Sequence, residues 1–383
     1  MTQSKDRTLF DDQDRPLIPD AEIPFGVALL ALGSIGGLGQ VGMQHLVGRY
    51  GDDLGSMFRL TCRQIEEQFR ECRINGAARI AGELEEHAVE IVRRGSAELE
   101  QLASKQITLL PPSRLPERLR SLNGECPKWL FVQGNVDLLS HRPTIAVVGT
   151  RQPSEDGCRA AATIAQLLSS YPVLMVSGLA DGIDAHAHAA SLRNGVKNLA
   201  FLGHGINLVF PEETAEIRAE IIRRGGAVVS EYLPHQTYQK KQFVQRNRLQ
   251  AAVADVVIPV EAASKSGTAH TVRFARKYKK TLVGIRWEGA SGIVDDLAKE
   301  GDPIIDITTQ TGRRKLDSII QDAVRDAKEP PYPFQTIERN VLREMRSRTY
   351  CKEDVARLVE AIEKAAQQES STNGEVEGRD LRR

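Results

Sequence analysis

The sequence predicts an α/β chain built on a doubly wound, mostly parallel sheet, with a small helical region before it and a short helical segment after it. Three observations predict this. Between residues 129 and 287, short apolar runs alternate with stretches of helical spacing, the signature of parallel strands joined by covering helices. The run 144–149 is apolar or β-branched at every position before its glycine, as a strand buried on both faces requires. Before residue 106 and after Pro303 the alternation is absent and helical spacing takes its place.

Taken in order, residues 1–20 are polar, with Asp11, Asp12 and Asp14 ahead of Pro16 and Pro19, and read as a mobile tail. Residues 21–105 read as a helical domain. An apolar helix from Phe25 stops in a glycine-rich turn, Gly33 to Gly39, and a second helix starts near Gln40. Such a helix–turn–helix resembles a helix-hairpin-helix unit, although any tight turn between helices favours glycine. Helical stretches at 56–73 and 76–94 carry mixed charges suited to solvated faces. Pro111, Pro112 and Pro116 mark a boundary, and the sheet-bearing domain spans 106–310. Its expected strands are 129–135, 144–149, 173–177, 198–202, 227–232, 256–261 and 281–287. Its expected helices are 158–169, 184–193, 213–224, 246–254 and 268–278. Pro330, Pro331 and Pro333 break the chain again. Residues 330–366 then read as a polar helical segment and 367–383 as a disordered tail.

Composition narrows the function. Lysine plus arginine and aspartate plus glutamate number 51 each over 383 residues, so any anion site must be a local patch. Cys62, Cys72, Cys126, Cys158 and Cys351 are scattered, with no C-x-x-C pair, which fits free thiols in a reducing cytoplasm. No apolar run reaches membrane-spanning length and no signal pattern opens the chain, so no membrane partner is expected. His186 and His188 are two apart and would face different sides of a helix. No metal and no cofactor is therefore expected.

In a parallel sheet, ligands bind beyond the carboxyl ends of the strands. After the first parallel strand comes G-T-R-Q-P-S-E-D-G, where Arg151 stands in a loop feeding a helix N-terminus. It is either a solvated arginine or an anion ligand. The second strand is followed by S-G-L-A-D-G-I-D-A-H-A-H and the fifth by V-E-A-A-S-K-S-G-T. After the fourth, Lys240, Lys241, Arg246 and Arg248 fall within nine residues, with Tyr238, Phe243 and Asn247 interleaved and no acid among them. A basic lane carrying aromatic rings suits a polyanion with exposed bases. No nucleophile–base pair stands out, so no enzyme activity is expected.

These segments, with F-L-G-H-G-I-N-L-V-F-P-E-E, V-V-S-E-Y and F-V-Q-R-N-R-L-Q-A, run colinearly from about Trp129 to Ile285 and resemble the DNA-processing protein A (DprA/Smf) family. The resemblance implies a Rossmann-like domain that binds single-stranded DNA. It also implies a homodimer that loads a RecA-type recombinase during DNA uptake, without catalysis. It matches Arg151 to an arginine on DNA phosphate, with Gly149, Thr150 and Ser154 around it. Gly178, Gly182 and Asp184 match a second loop. Lys240 or Lys241, Phe243, Arg246, Asn247 and Arg248 match the basic and stacking segment, and Ser266, Gly267 and Thr268 match a last phosphate-facing turn. Two departures stand out: His270 and Arg273 where small or apolar residues are usual, and G-I-R-W closing the last strand. The segment 270–287 is the expected dimer surface, and the terminal helical segment replaces the winged helix of many members.

The rival reading is a nucleotide sensor or hydrolase of a related fold, for instance in a defence system. Phosphoribohydrolases carry an acid three residues after the glycine-threonine turn. Here Thr271 stands three residues after Thr268, which removes the evident group for stabilising a ribosyl cation.

Overall fold

The computed structural model describes residues 15–19, 22–122 and 124–328. The helical region holds α1 (Phe25–Gly33), α2 (Gln40–Tyr50), a 3₁₀ stretch Gly51–Arg59, α3 (Cys62–Glu71) and α4 (Ala77–Ser104). The expected helix at 56–73 is therefore broken near Leu60. Thr61 caps α3 there by accepting from the Gln64 amide, while the Gln64 side chain accepts from the Thr61 amide, a reciprocal box that starts a helix afresh. The second expected helix continues ten residues past Arg94 to Ser104.

Next come β1 (Ile107–Leu110), α5 (Glu117–Arg120), β2 (Leu130–Gly134), β3 (Thr144–Val148), α6 (Glu155–Leu168), β4 (Leu174–Ser177) and α7 (Ile183–Arg193). They are followed by β5 (Lys197–Phe201), α8 (Ala215–Arg223), β6 (Ala227–Ser230), α9 (Lys240–Val253), β7 (Val256–Pro259) and α10 (Gly267–Lys277). The described chain closes with β8 (Thr281–Leu282), β9 (Gly284–Arg286), α11 (Ile293–Lys299), β10 (Ile304–Asp306) and α12 (Gln310–Lys328). Eight strands form one sheet in the order β1-β2-β6-β5-β4-β3-β7-β8. Pairing is parallel from β6 through β8, while β2 runs antiparallel to both its neighbours.

Alternation along β3 shows why the sheet is doubly wound. Ile145 and Val147 join a core with Ala161 and Ile164 of α6, Ala187 of α7 and Leu316 of α12. Ala146 and Val148 face the other way, into a core with Leu249 of α9 and Val272 of α10. Successive side chains of a strand point to opposite faces, so a strand apolar throughout needs a helical layer on each side.

Further expectations are corrected. The stretch 281–287 is two strands: β8 extends the main sheet, whereas β9 pairs in parallel with β10 in a separate sheet. Alternation also continues past Pro303, through β10 and α12, because a three-residue strand leaves too short a pattern to read. The helix expected at 246–254 begins at Lys240, where Gln239 and Gln242 cap it reciprocally. Within the expected tail, the Leu17 and Ile18 amides donate to Leu60 and Phe58 carbonyls, so the chain is already anchored there. The expected segment 330–366 and tail 367–383 lie outside the described residues.

Candidate nucleic-acid interface

The strand order makes β3 the place where the chain reverses its direction of travel across the sheet. It runs outward one way through β4, β5 and β6, then resumes on the other side at β7. At such a switch point the loops leaving two adjacent strands diverge and open a crevice. Here a crevice of about 270 Å³ holds Gly149, Thr150, Arg151, Asp184, Phe243, Arg246, Asn247, Ser266, Gly267 and Thr268. Residues drawn from four loops or helices in the sequence thus meet at one point.

Arg151 is exposed, and its guanidinium carbon lies 4.9 Å from the centre of the Phe243 ring, a cation–π contact that orients the charge without neutralising it. Phe243 rests on Gly203, where a Cβ would fall 2.6 Å from the ring. Phe210, not singled out in the sequence, stacks on Tyr238 with ring centres 3.7 Å apart, and Phe243 lies 6.0 Å from Phe210. Tyr238 is 49% exposed. The three rings form an aromatic platform beside a cation that no acid pairs with among the described residues. Phe210 could have been suspected only from its place in a loop after a strand, because no local pattern marks it.

The opposite wall is the start of α10. Ser266 caps it, accepting from the Ala269 amide at 3.3 Å, and its first turn carries no acid. A Cβ on Gly267 would meet nothing within 4 Å, so the surface there is open. The Asn247 carboxamide donates to the Gly267 carbonyl at 3.1 Å and ties this turn to α9.

Other expected residues act from within. Asp184 is buried and accepts from the Gly178 amide at 3.0 Å. Burial raises its pKa, opposed by the Arg246 charge, the Ser177 hydroxyl and the Gly178 and Gly149 amides. Arg246 is 3% exposed and donates to the Phe201 carbonyl at 2.7 Å. Burial pulls its pKa down to about 10. A Cβ at Gly178 would overlap this guanidinium, and Gly182, at φ +79°, presses against Thr150 and Arg151. Both glycines permit close approach of chain segments. Thr268 is buried too.

The basic lane is corrected by the same geometry. Arg248 makes a two-pronged pair with Glu231, both contacts 2.6 Å, and donates to the Glu125 carbonyl. With side-chain exposures of 11% and 3%, this pair is internal, and Arg248 is not presented to a ligand. Arg246 is likewise internal. All four cations lie on α9, and a helix turns its successive residues to different sides. Lys240 and Lys241 remain exposed. Lys241 borders a larger cavity of about 890 Å³, between α9 and the glycine-rich turn of the helical region, which contains no other expected site residue. Ser154 faces a third cavity and is held by Glu261. Neither glutamate was singled out: Glu231 lies in V-V-S-E-Y and Glu261 in V-E-A-A-S, and only tertiary contact gives them roles.

His188 is fully buried, bonded to the Asn198 side chain at 2.7 Å, and its pKa is lowered to about 4 by desolvation. His186 is exposed, so the two do face different sides. Among the described residues no group of three or more His, Cys, Asp or Glu side chains could hold a metal ion. No described helix is long and apolar enough to cross a membrane. The expected dimer surface is corrected in part: Val283, Ile285 and Trp287 are buried, in one core cluster with Leu316 and Ile320 of α12.

Residues 106–300 match the sequence model of the family described as DNA recombination-mediator protein A. The DNA processing protein DprA of Streptococcus pneumoniae is 35% identical over 184 residues, which are 47% of this chain and 64% of that protein. Protein Smf of Escherichia coli is 40% identical over 153 residues, 39% of this chain and 40% of its own. The chain thus spans less than two thirds of either relative. Among solved structures, DNA processing protein A of Helicobacter pylori, described for its single-stranded DNA binding mode, is 27% identical with a TM-score of 0.50, covering 57% of this chain and 97% of that one. The X-ray structure of pneumococcal DprA is 25% identical with a TM-score of 0.53, covering 73% and 92%.

Proposed function

Because the chain belongs to the DNA recombination-mediator protein A family, we propose that the crevice between β3 and β7 binds single-stranded DNA. The observation that carries the reading is Arg151, exposed and without an acid partner among the described residues, beside the Phe210–Tyr238–Phe243 platform and opposite the acid-free start of α10. A phosphodiester is held by Arg151 and the α10 amides, while unpaired bases stack on the rings. Gly149, Thr150, Asn247, Ser266 and Gly267 shape the contact surface. Asp184, Arg246, Gly178, Gly182 and Thr268 position it, and Lys240 and Lys241 extend the positive field.

The protein acts by holding DNA, as a homodimer that delivers the strand to a RecA-type recombinase in the cytoplasm. The helical region, 21–105, accompanies a DNA-binding region, 106–310. Two linked crevices on one strand raise affinity through effective concentration. A hydrolytic role is the weaker reading, since Asp184, which lines the crevice, and Glu261, at the end of β7, are both engaged in holding amides. The test is a titration with labelled single strands of increasing length against a duplex of equal length, at one salt concentration. Single strands are expected to bind more tightly, with affinity rising with length. Equal affinity for both would remove the stacking argument. Sedimentation at micromolar concentration tests the dimer.

A further inference from the structure

Two helices start beside the crevice from adjacent parallel strands, α6 after β3 and α10 after β7. Each offers unpaired amides and the positive end of its dipole. They are finished in opposite ways. At α10 the first turn has no acid and the space over Gly267 is open. At α6, Ser154 caps the helix by accepting from the Gly157 amide at 3.0 Å, and Glu261 then reaches over from the end of β7. One Glu261 carboxylate oxygen accepts from the Ser154 amide at 3.0 Å and from its hydroxyl at 3.1 Å. A Cβ on Gly157 would fall 2.0 Å from that oxygen, so the carboxylate lies directly against the first turn. The Glu261 carbonyl accepts from the Thr150 amide at 2.6 Å, which fixes where its side chain begins. Glu155 and Asp156 place two more acids in that turn.

Space is not what keeps a ligand from α6. The adjoining cavity measures about 530 Å³, room for a nucleotide. Its described lining holds Asp156, Glu261 and Glu288 and no lysine, arginine or histidine. Charge is what excludes. A terminal phosphate carries nearly two negative charges near neutral pH, a phosphodiester only one, so a fixed carboxylate repels the first about twice as strongly.

We propose that Glu261 is a specificity-determining residue: its carboxylate fills the place at the start of α6 where a mononucleotide phosphate would otherwise sit. Anions are thereby confined to the α10 side, where a phosphodiester passes across the crevice and is not seated by a terminal phosphate. The inference rests on reading the crevice as an anion site and adds which phosphate chemistry it refuses.

The experiment compares the full chain with Glu261→Ala, Glu261→Gln and Glu288→Gln, each titrated with inorganic phosphate and, separately, with thymidine monophosphate, at matched ionic strength, by calorimetry. A labelled single-stranded oligonucleotide is measured alongside. Glu261→Ala is expected to bind phosphate and the mononucleotide on the order of tenfold more tightly than the parent, the scale of an anion's interaction with a helix start. Glu261→Gln, which keeps an acceptor for Ser154, gains less. Glu288→Gln, which removes a charge from the same cavity without touching α6, gains less than either. A folded Glu261→Ala within twofold of the parent, or an equal gain from Glu288→Gln, overturns the proposal. Should the alanine variant not fold, the glutamine variant decides, any clear gain over Glu288→Gln supporting it and none overturning it. Failure of the parent to bind the oligonucleotide would instead count against the DNA-binding reading, and the phosphate comparison would still stand.

Discussion

Lys240 and Lys241 open α9, and Arg246 and Arg248 sit one to two turns further along the same helix. In sequence the four look like one basic patch. In the structure the lysines are exposed, while Arg246 lies under the crevice and Arg248 is locked to Glu231. The side chains themselves suggest the division. A guanidinium carries several donors in a rigid fork and can satisfy them against carbonyls and a carboxylate when buried, whereas an ammonium is compact and strongly hydrated. The difference teaches that cations of one patch can serve different ends: Arg246 lines the crevice from within, Arg248 ties α9 to Glu231, and the two lysines stay in solvent.

The sharpest way to break that division is Arg248→Met. It strands Glu231 in the interior and is expected to cost about 3–5 kcal/mol of stability, read by urea denaturation. Adding Glu231→Leu should recover most of the loss, because the buried charge is then gone. Next comes Arg246→Met, expected to cost about 2–3 kcal/mol through the lost charge-assisted bond to Phe201. It also removes the charge that opposes the upward shift at Asp184. A carboxyl whose folded pKa is raised contributes stability that is full below its unfolded pKa and lost as pH rises through the folded one. The Arg246→Met deficit should therefore shrink as pH falls from neutrality toward the carboxylate range, which denaturation at several pH values checks. A deficit constant with pH would separate Arg246 from Asp184.

Surface changes should show the reverse profile. Arg151→Ala is expected to leave stability near the parent's while weakening single-strand binding by about 1–3 kcal/mol, measured by fluorescence anisotropy. The smallest effect belongs to Lys240→Ala with Lys241→Ala. Stability should be unchanged, and the slope of log affinity against log salt should flatten by up to about 0.7 per cation removed. A large stability loss from the lysine pair, or none from Arg248→Met, would erase the contrast.

What could be read beforehand follows from how local each signal is. The strand at β3, its loop and Arg151 are contiguous, and a both-faces-buried strand announces itself through apolar residues alone. The start of α9 was missed because Lys240, Lys241 and Gln242 show no apolar period, and only the cap at Gln239 marks it. β9 and β10 are three residues each, below the length at which alternation can be distinguished from chance. Glu231 lies seventeen residues before Arg248, and Phe210 reaches Phe243 from another loop, so neither partnership leaves a trace in local spacing. A list of cations marked the region of the site, but burial decides which of them can touch a ligand.

The family match begins at residue 106, yet the buried interior ignores that line. Trp129, just before β2, and Phe131 within it share one apolar cluster with Leu29, Leu32, Phe58 and Phe69 of the helical region. A melt followed by calorimetry should accordingly show these residues giving way in a single cooperative transition. Cutting the chain at residue 106 would bare a strip of aromatic and aliphatic surface to water, the kind of surface through which fragments self-associate. Shared ancestry and cooperative folding thus draw their borders in different places along this polypeptide, and a graft or truncation has to respect the second.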